Sequence, residues 1–262
     1  LLIAAHHVVD VTMEILLLAR GAGIVMLVAG LIWLFYLALE PYVRRLRPWT
    51  LISWARLLGG GWRDTVVGRD SLIGMLCGAV LAAAFFVAQR FPILLGLPAP
   101  VPNSGDVAVL VLTSRLLADV VSVPISATLF GLGALLLFMV LRFLTRRDVP
   151  AAVLLVALLT LNVLVQAEEL VWLMLPLALV FYVSYAVLLL RFGVLSAIAG
   201  VFTADILIGM PLLPEAGRWT GSATVVIVPL LILLAVRAFR SAVGGTAPFP
   251  GRTRIHSMEP RA

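Results

Sequence analysis

Seven long apolar stretches run through this chain, at residues 15–39, 72–89, 125–143, 149–166, 170–190, 192–210 and 222–238. Each approaches the roughly 20 residues that a helix needs to cross a bilayer. Hydrocarbon offers a backbone N–H or C=O no outside partner, so each stretch must close its own hydrogen bonds as a helix. The expected fold class is therefore all-α: a polytopic transmembrane helical bundle of about seven spans.

The residues between the stretches set the orientation. All 19 basic residues are arginine. Threading the spans in and out places fifteen of them on one face and leaves Arg20, Arg90, Arg115 and Arg218 on the other. With the acids counted, the first face carries +10 and the second −4. An excess of Lys and Arg in short loops marks the cytoplasmic side, so the C-terminus is expected inside and Leu1 outside. The composition agrees, with 63% hydrophobic and only 12% charged residues, where soluble domains carry about 25% charged. The net charge of +6 thus belongs to membrane topology. No basic patch with interleaved aromatics points to nucleic acid.

Cys77 is the only cysteine and sits in an apolar run, so neither an intrachain disulfide nor a thiolate metal centre is expected. No secretory leader is expected, and no internal repeat is evident. The chain opens on Leu1-Leu2-Ile3 without an initiator Met. Together with the odd span count, this leads to the expectation of at least one further span upstream. A single domain is expected over residues 1–243, and a basic, disordered tail over 244–262.

The densest polar segment is 40–70, on the arginine-rich face. It holds Glu40, Arg44, Arg45, Arg47, Arg56, Arg63, Asp64, Arg69 and Asp70, together with Trp49, Trp54 and Trp62. Pro41 and Pro48 are expected to end helices. Thr50, Ser53 and Arg56 recur every third residue, which predicts an amphipathic helix over 49–58 lying in the interface plane. Gly59-Gly60-Gly61 should break it, and Asp70 or Ser71 should cap the following span. The plain reading is a positive-inside anchor. The functional one is a platform that docks a cytoplasmic protein domain or anionic lipid headgroups.

The other face offers weaker candidates. His6, Asp10 and Glu14, with His7 adjacent, share one helix face as a divalent-metal site requires, but a solvated helix entry explains them as well, and no metal centre is assigned. An amphipathic piece over 107–120 places Arg115 and Asp119 four apart, where they pair across a turn. Glu168-Glu169 is similar to the paired glutamates of CAAX-type intramembrane proteases. Here the Arg that family carries four residues later and its membrane-embedded histidines are missing. Asp205 lies within a span, where an ionisable residue is a functional hypothesis by default, and Asn162 is its candidate polar partner. A structural polar contact is the blander reading. The absence of lysine excludes a retinal Schiff base, and no nucleotide, nucleophile-elbow or zinc-protease motif is present. No catalytic residue and no cofactor is assigned.

Three runs carry a family resemblance. The first is Leu37-Ala38-Leu39-Glu40-Pro41-Tyr42-Val43-Arg44-Arg45, continued by Leu51-Ile52-Ser53-Trp54-Ala55-Arg56-Leu57-Leu58 and Val67-Gly68-Arg69-Asp70. The others are Arg191-Phe192-Gly193-Val194-Leu195 and Arg218-Trp219-Thr220-Gly221-Ser222, with a further match over 244–251. The chain resembles the polytopic membrane region that follows the kinase domain in acidobacterial serine/threonine protein kinases. Thr65 departs from the pattern, where a Pro is expected. The resemblance implies a membrane anchor and sensor in a bacterial inner membrane, without catalytic power of its own, since every kinase motif is absent. An accessory subunit of a larger inner-membrane complex is the alternative, followed by a small transporter or intramembrane protease.

Overall fold

The computed structural model describes residues 11–94, 96, 113–166, 171–209 and 222–244. Every regular element among them is helical. In chain order they are α1 (Val11–Leu46), a 3-10 turn (Pro48–Leu51), α2 (Ile52–Leu58), α3 (Thr65–Leu94), α4 (Thr113–Thr145), α5 (Asp148–Gln166), α6 (Val171–Val187), a π-helical continuation (Leu188–Phe192), α7 (Val194–Gly209) and α8 (Ser222–Gly244).

Among the described residues, six helices are long and apolar enough to cross a membrane: α1, α3, α4, α5, α6 with its π continuation, and α8. The seventh expected span, α7, has 16 residues, about 24 Å of helix against a hydrocarbon core of roughly 30 Å. It does not have to match that thickness, because protein rather than lipid surrounds it. Ten of its residues are buried, and α3 and α4 pack along it. The bundle's outer surface is the reverse of a soluble protein's, with Met26, Leu76, Val87, Val165 and Leu233 between 64% and 78% exposed. The chain is an all-helical, multi-pass membrane protein.

The closest helix contact joins α3 to α7. A Cβ on Gly74 would fall onto the Ser196 carbonyl oxygen, and one on Gly78 onto that of Gly200. Lipid tails are as apolar as leucine, so helices in a bilayer associate through such close backbone approach, which a small-xxx-small spacing permits. Beside this seam, Leu132, Leu135 and Phe138 of α4 pack with Leu155 of α5 and with Tyr185 and Leu189, all buried.

The helix end expected at Pro41 is not there: Pro41 lies inside α1, and Pro92 and Pro124, just outside the expected spans 72–89 and 125–143, likewise lie inside helices. In a membrane, stopping a helix strands more backbone groups than a proline does, so each helix runs on through its proline. The expected outer amphipathic piece is thus continuous with α4 from Thr113 on, while 107–112 lies outside the described residues, as does the tail from 245.

Candidate functional site: the arginine-face platform

The exit of α1, the α4–α5 turn, the α6–α7 turn, the start of α3 and the end of α8 meet at one end of the bundle, around residues 47–64.

Arg47 is the centre of this assembly. Its side chain is only 12% exposed. One guanidinium nitrogen donates to Asp148 Oδ2 at 2.5 Å and another to the carbonyl of Leu190 at 3.2 Å. The rings of Phe138 and Trp49 lie 5.6 and 5.8 Å from its carbon centre, within range of a cation–π attraction. Asp148 uses its other oxygen to bind Arg142 Nε at 2.7 Å. Sequence places these two conveniently, with a base in the last turn of α4 and an acid in the first of α5, each favoured by its helix dipole. Arg146 closes the short turn between them in the left-handed conformation, at φ 57°.

The remaining contacts fasten the segment to other helices. Gly193 has φ 97° and ψ 178°, a region essentially restricted to glycine. A Cβ there would stand 2.7 Å from the Thr50 carbonyl oxygen, so the α6–α7 turn rests directly on the 3-10 turn. Arg56 pairs with Asp64 Oδ2 at 2.8 Å, and Asp64 Oδ1 accepts the Val66 N–H at 2.8 Å. Asp64 therefore caps α3, two turns before the expected start. Asp70, expected as a cap, is buried inside the helix and paired with Arg69 at 2.8 Å. Ser241 of α8 donates to the Trp62 carbonyl at 3.1 Å.

The short helix of this segment is present as α2, but its polar stripe turns inward. Thr50 and Ser53 are 0% and 1% exposed, and Trp54 is buried with them, while Trp49, Ile52 and Leu58 are outside. The Thr50 and Ser53 hydroxyls and the Trp54 indole nitrogen have no hydrogen-bond partner. Burying an unpaired polar atom costs roughly 1–3 kcal/mol, so this seat is held by the surrounding ion pairs more than by its own hydrogen bonds.

Of the other platform residues, Arg63 is exposed and Glu40 half-buried, while the side chains of Arg44 and Arg45 lie outside the described residues. So do His6, His7, Asp10, Glu168 and Glu169, and the side chains of Glu14 and Arg115. Among the described residues no group of three metal-ligating side chains occurs.

Asp205 stands apart from the platform, in the opposite half of the bundle. It lines a cleft of about 470 Å³ with Phe85, Phe130, Met174, Phe181 and Tyr182. The polar side chains sharing the cleft with it are Tyr182 and Ser126. Asn162, expected as its partner, is exposed on α5 and does not line the cleft. Sequence reading also missed Arg142 and Asp148 as a pair, Gly193, and the Gly74/Gly78 spacing; only the last has a recognised sequence signal.

Comparison with family models, curated proteins and solved structures yields no match for this chain.

Proposed function

We propose that this chain is the membrane anchor and sensor region of a bacterial serine/threonine protein kinase-type protein. It sits in the inner membrane with residues 40–70 on the cytoplasmic side, against anionic headgroups and a cytoplasmic protein partner or domain. The observation that carries this reading is the locking of the platform onto the ends of five other helices through Arg47, Asp64, Thr50 and Trp62. A segment held in this way must move when those helices move.

A route for such movement supports the reading. α6 lines the Asp205 cleft from Met174 to Tyr182, then passes through the π continuation to Leu190, whose carbonyl accepts from Arg47. π turns recur at functional sites. A π turn relaxes to an α turn by shifting one residue, and that shift would draw Leu190 away from Arg47. Signal transfer needs an element of this kind, with two arrangements that both ends can bias.

The test uses the full parent polypeptide in lipid nanodiscs, with its phosphotransfer rate as readout. Arg47→Ala and Asp148→Ala should change that rate while the isolated catalytic steps of the kinase domain stay intact. A parent reading frame without a kinase domain, or a rate indifferent to both substitutions, overturns the proposal. One observation favours the second reading, an accessory subunit: only 6% of the spanning window of α1 is buried. Its free surface suits a partner helix, and co-purification of a stoichiometric membrane partner in place of a kinase domain would decide for it.

A further inference from the structure

A second recess, of about 770 Å³, opens sideways between α4 and α8 over a floor made by α3 and α7. Pro124 and Thr128 form one wall and Leu230 and Leu234 the other, with Met75 and Phe202 between them. It is stopped at both ends. Towards the outer face, buried Ile206 and Ile227 pack with Val120 and Val123. Towards the arginine face, Trp54 and Trp62 of the platform close it, and Arg237 stands on its rim.

We propose that this recess takes an acyl chain of one anionic glycerophospholipid, with its phosphate against Arg237. Three observations select that occupant. From Ser241 to Leu230 the recess follows about 16 Å of α8, the depth of a single leaflet in a hydrocarbon core of roughly 30 Å. A partner helix crossing the whole membrane does not fit a slot closed halfway, whereas a lipid entering from one leaflet does. The second is charge. No carboxylate lines the recess, and Arg237 forms no ion pair among the described residues, in contrast to Arg47, Arg56, Arg69 and Arg142. The third is position, because the rim lies on the face whose leaflet carries anionic lipid, beside tryptophans at the level where they favour headgroups. The chain would rest on Trp54 and Trp62, so its presence bears on how the platform is seated. The inference depends on the membrane orientation in the preceding section and not on the kinase assignment.

The experiment takes the whole chain, delipidated in detergent, and titrates phosphatidylglycerol against phosphatidylcholine, with bound lipid read by native mass spectrometry. One phosphatidylglycerol should be retained more tightly than phosphatidylcholine, and this comparison needs no variant. Arg237→Gln should weaken phosphatidylglycerol about tenfold, as expected for loss of one charge-assisted contact, and leave phosphatidylcholine unchanged. Leu234→Trp, which fills the slot, should weaken both lipids. Arg240→Gln, one turn further on, should leave both unchanged. No retained lipid, equal affinity for the two headgroups, or an Arg237→Gln protein that folds and binds phosphatidylglycerol normally overturns the proposal. Lipid retention can fail with the phosphotransfer response intact, and the reverse, so the two proposals fall separately.

Discussion

At the scale of single residues, the glycines separate packing from mere flexibility. Gly74 and Gly78 have no room for a methyl group, because carbonyls of α7 occupy the space, whereas Gly23 and Gly30 on α1 have nothing within 4 Å. Gly74→Ala and Gly78→Ala should each lower stability by about 1–3 kcal/mol, the usual range for forcing extra atoms into a packed core. Gly23→Ala and Gly30→Ala should be neutral or slightly stabilising, since alanine is the better helix former. Denaturant unfolding in detergent, followed by circular dichroism, checks all four; an equal effect across the set would refute the close seam. The i, i+4 spacing was visible in the sequence. Gly193 was not legible in that way, because only the approach of Thr50 reveals why its position excludes a side chain.

Helix ends are held by charge, and the three-residue cluster Arg47–Asp148–Arg142 makes an ordered prediction at the scale of elements. Asp148 is the shared partner, so Asp148→Ala strands two arginines whose side chains are 12% and 22% exposed. Removing either arginine leaves Asp148 one ion pair. Asp148→Ala should therefore cost more than Arg142→Ala, by about 1 kcal/mol. The figure stays at the low end because Asp148 is 39% exposed and partly screened by solvent. A double-mutant cycle on Arg47 and Asp148 should give a coupling above roughly 0.5 kcal/mol, as expected for contacting residues; no coupling would mean the pair only decorates the platform. Arg142 and Asp148 lie 95 and 101 positions from Arg47. Nothing local in the chain indicates that they converge. Pro41 teaches the converse lesson, since a rule taken from helices in water placed an end where α1 runs on.

For the whole molecule, the prediction concerns sidedness. With Cys77→Ser as background, single cysteines replacing Arg63 or Arg147 should react with an impermeant thiol reagent only from the cytoplasmic side of right-side-out and inverted vesicles. A cysteine at Gly217 should react only from the opposite side. The reverse pattern would invert the orientation, and mixed labelling would refute a fixed one. The gathering of the platform, the α4–α5 turn and the end of α8 at one end of the bundle is what this sidedness requires. Each of those loops carries arginine, and charge in short loops is costly to translocate.

Membrane-spanning helices and the helical class were determined by the sequence alone, because both depend on local composition and on the lack of backbone partners in lipid. The tertiary structure decided which polar residues do more than mark a loop. It turned Thr50, Ser53 and Trp54 inward, made α7 a buried central helix and joined Arg47 to Asp148 and Leu190. Those outcomes depend on contacts between distant segments, and no periodicity or local charge count encodes them.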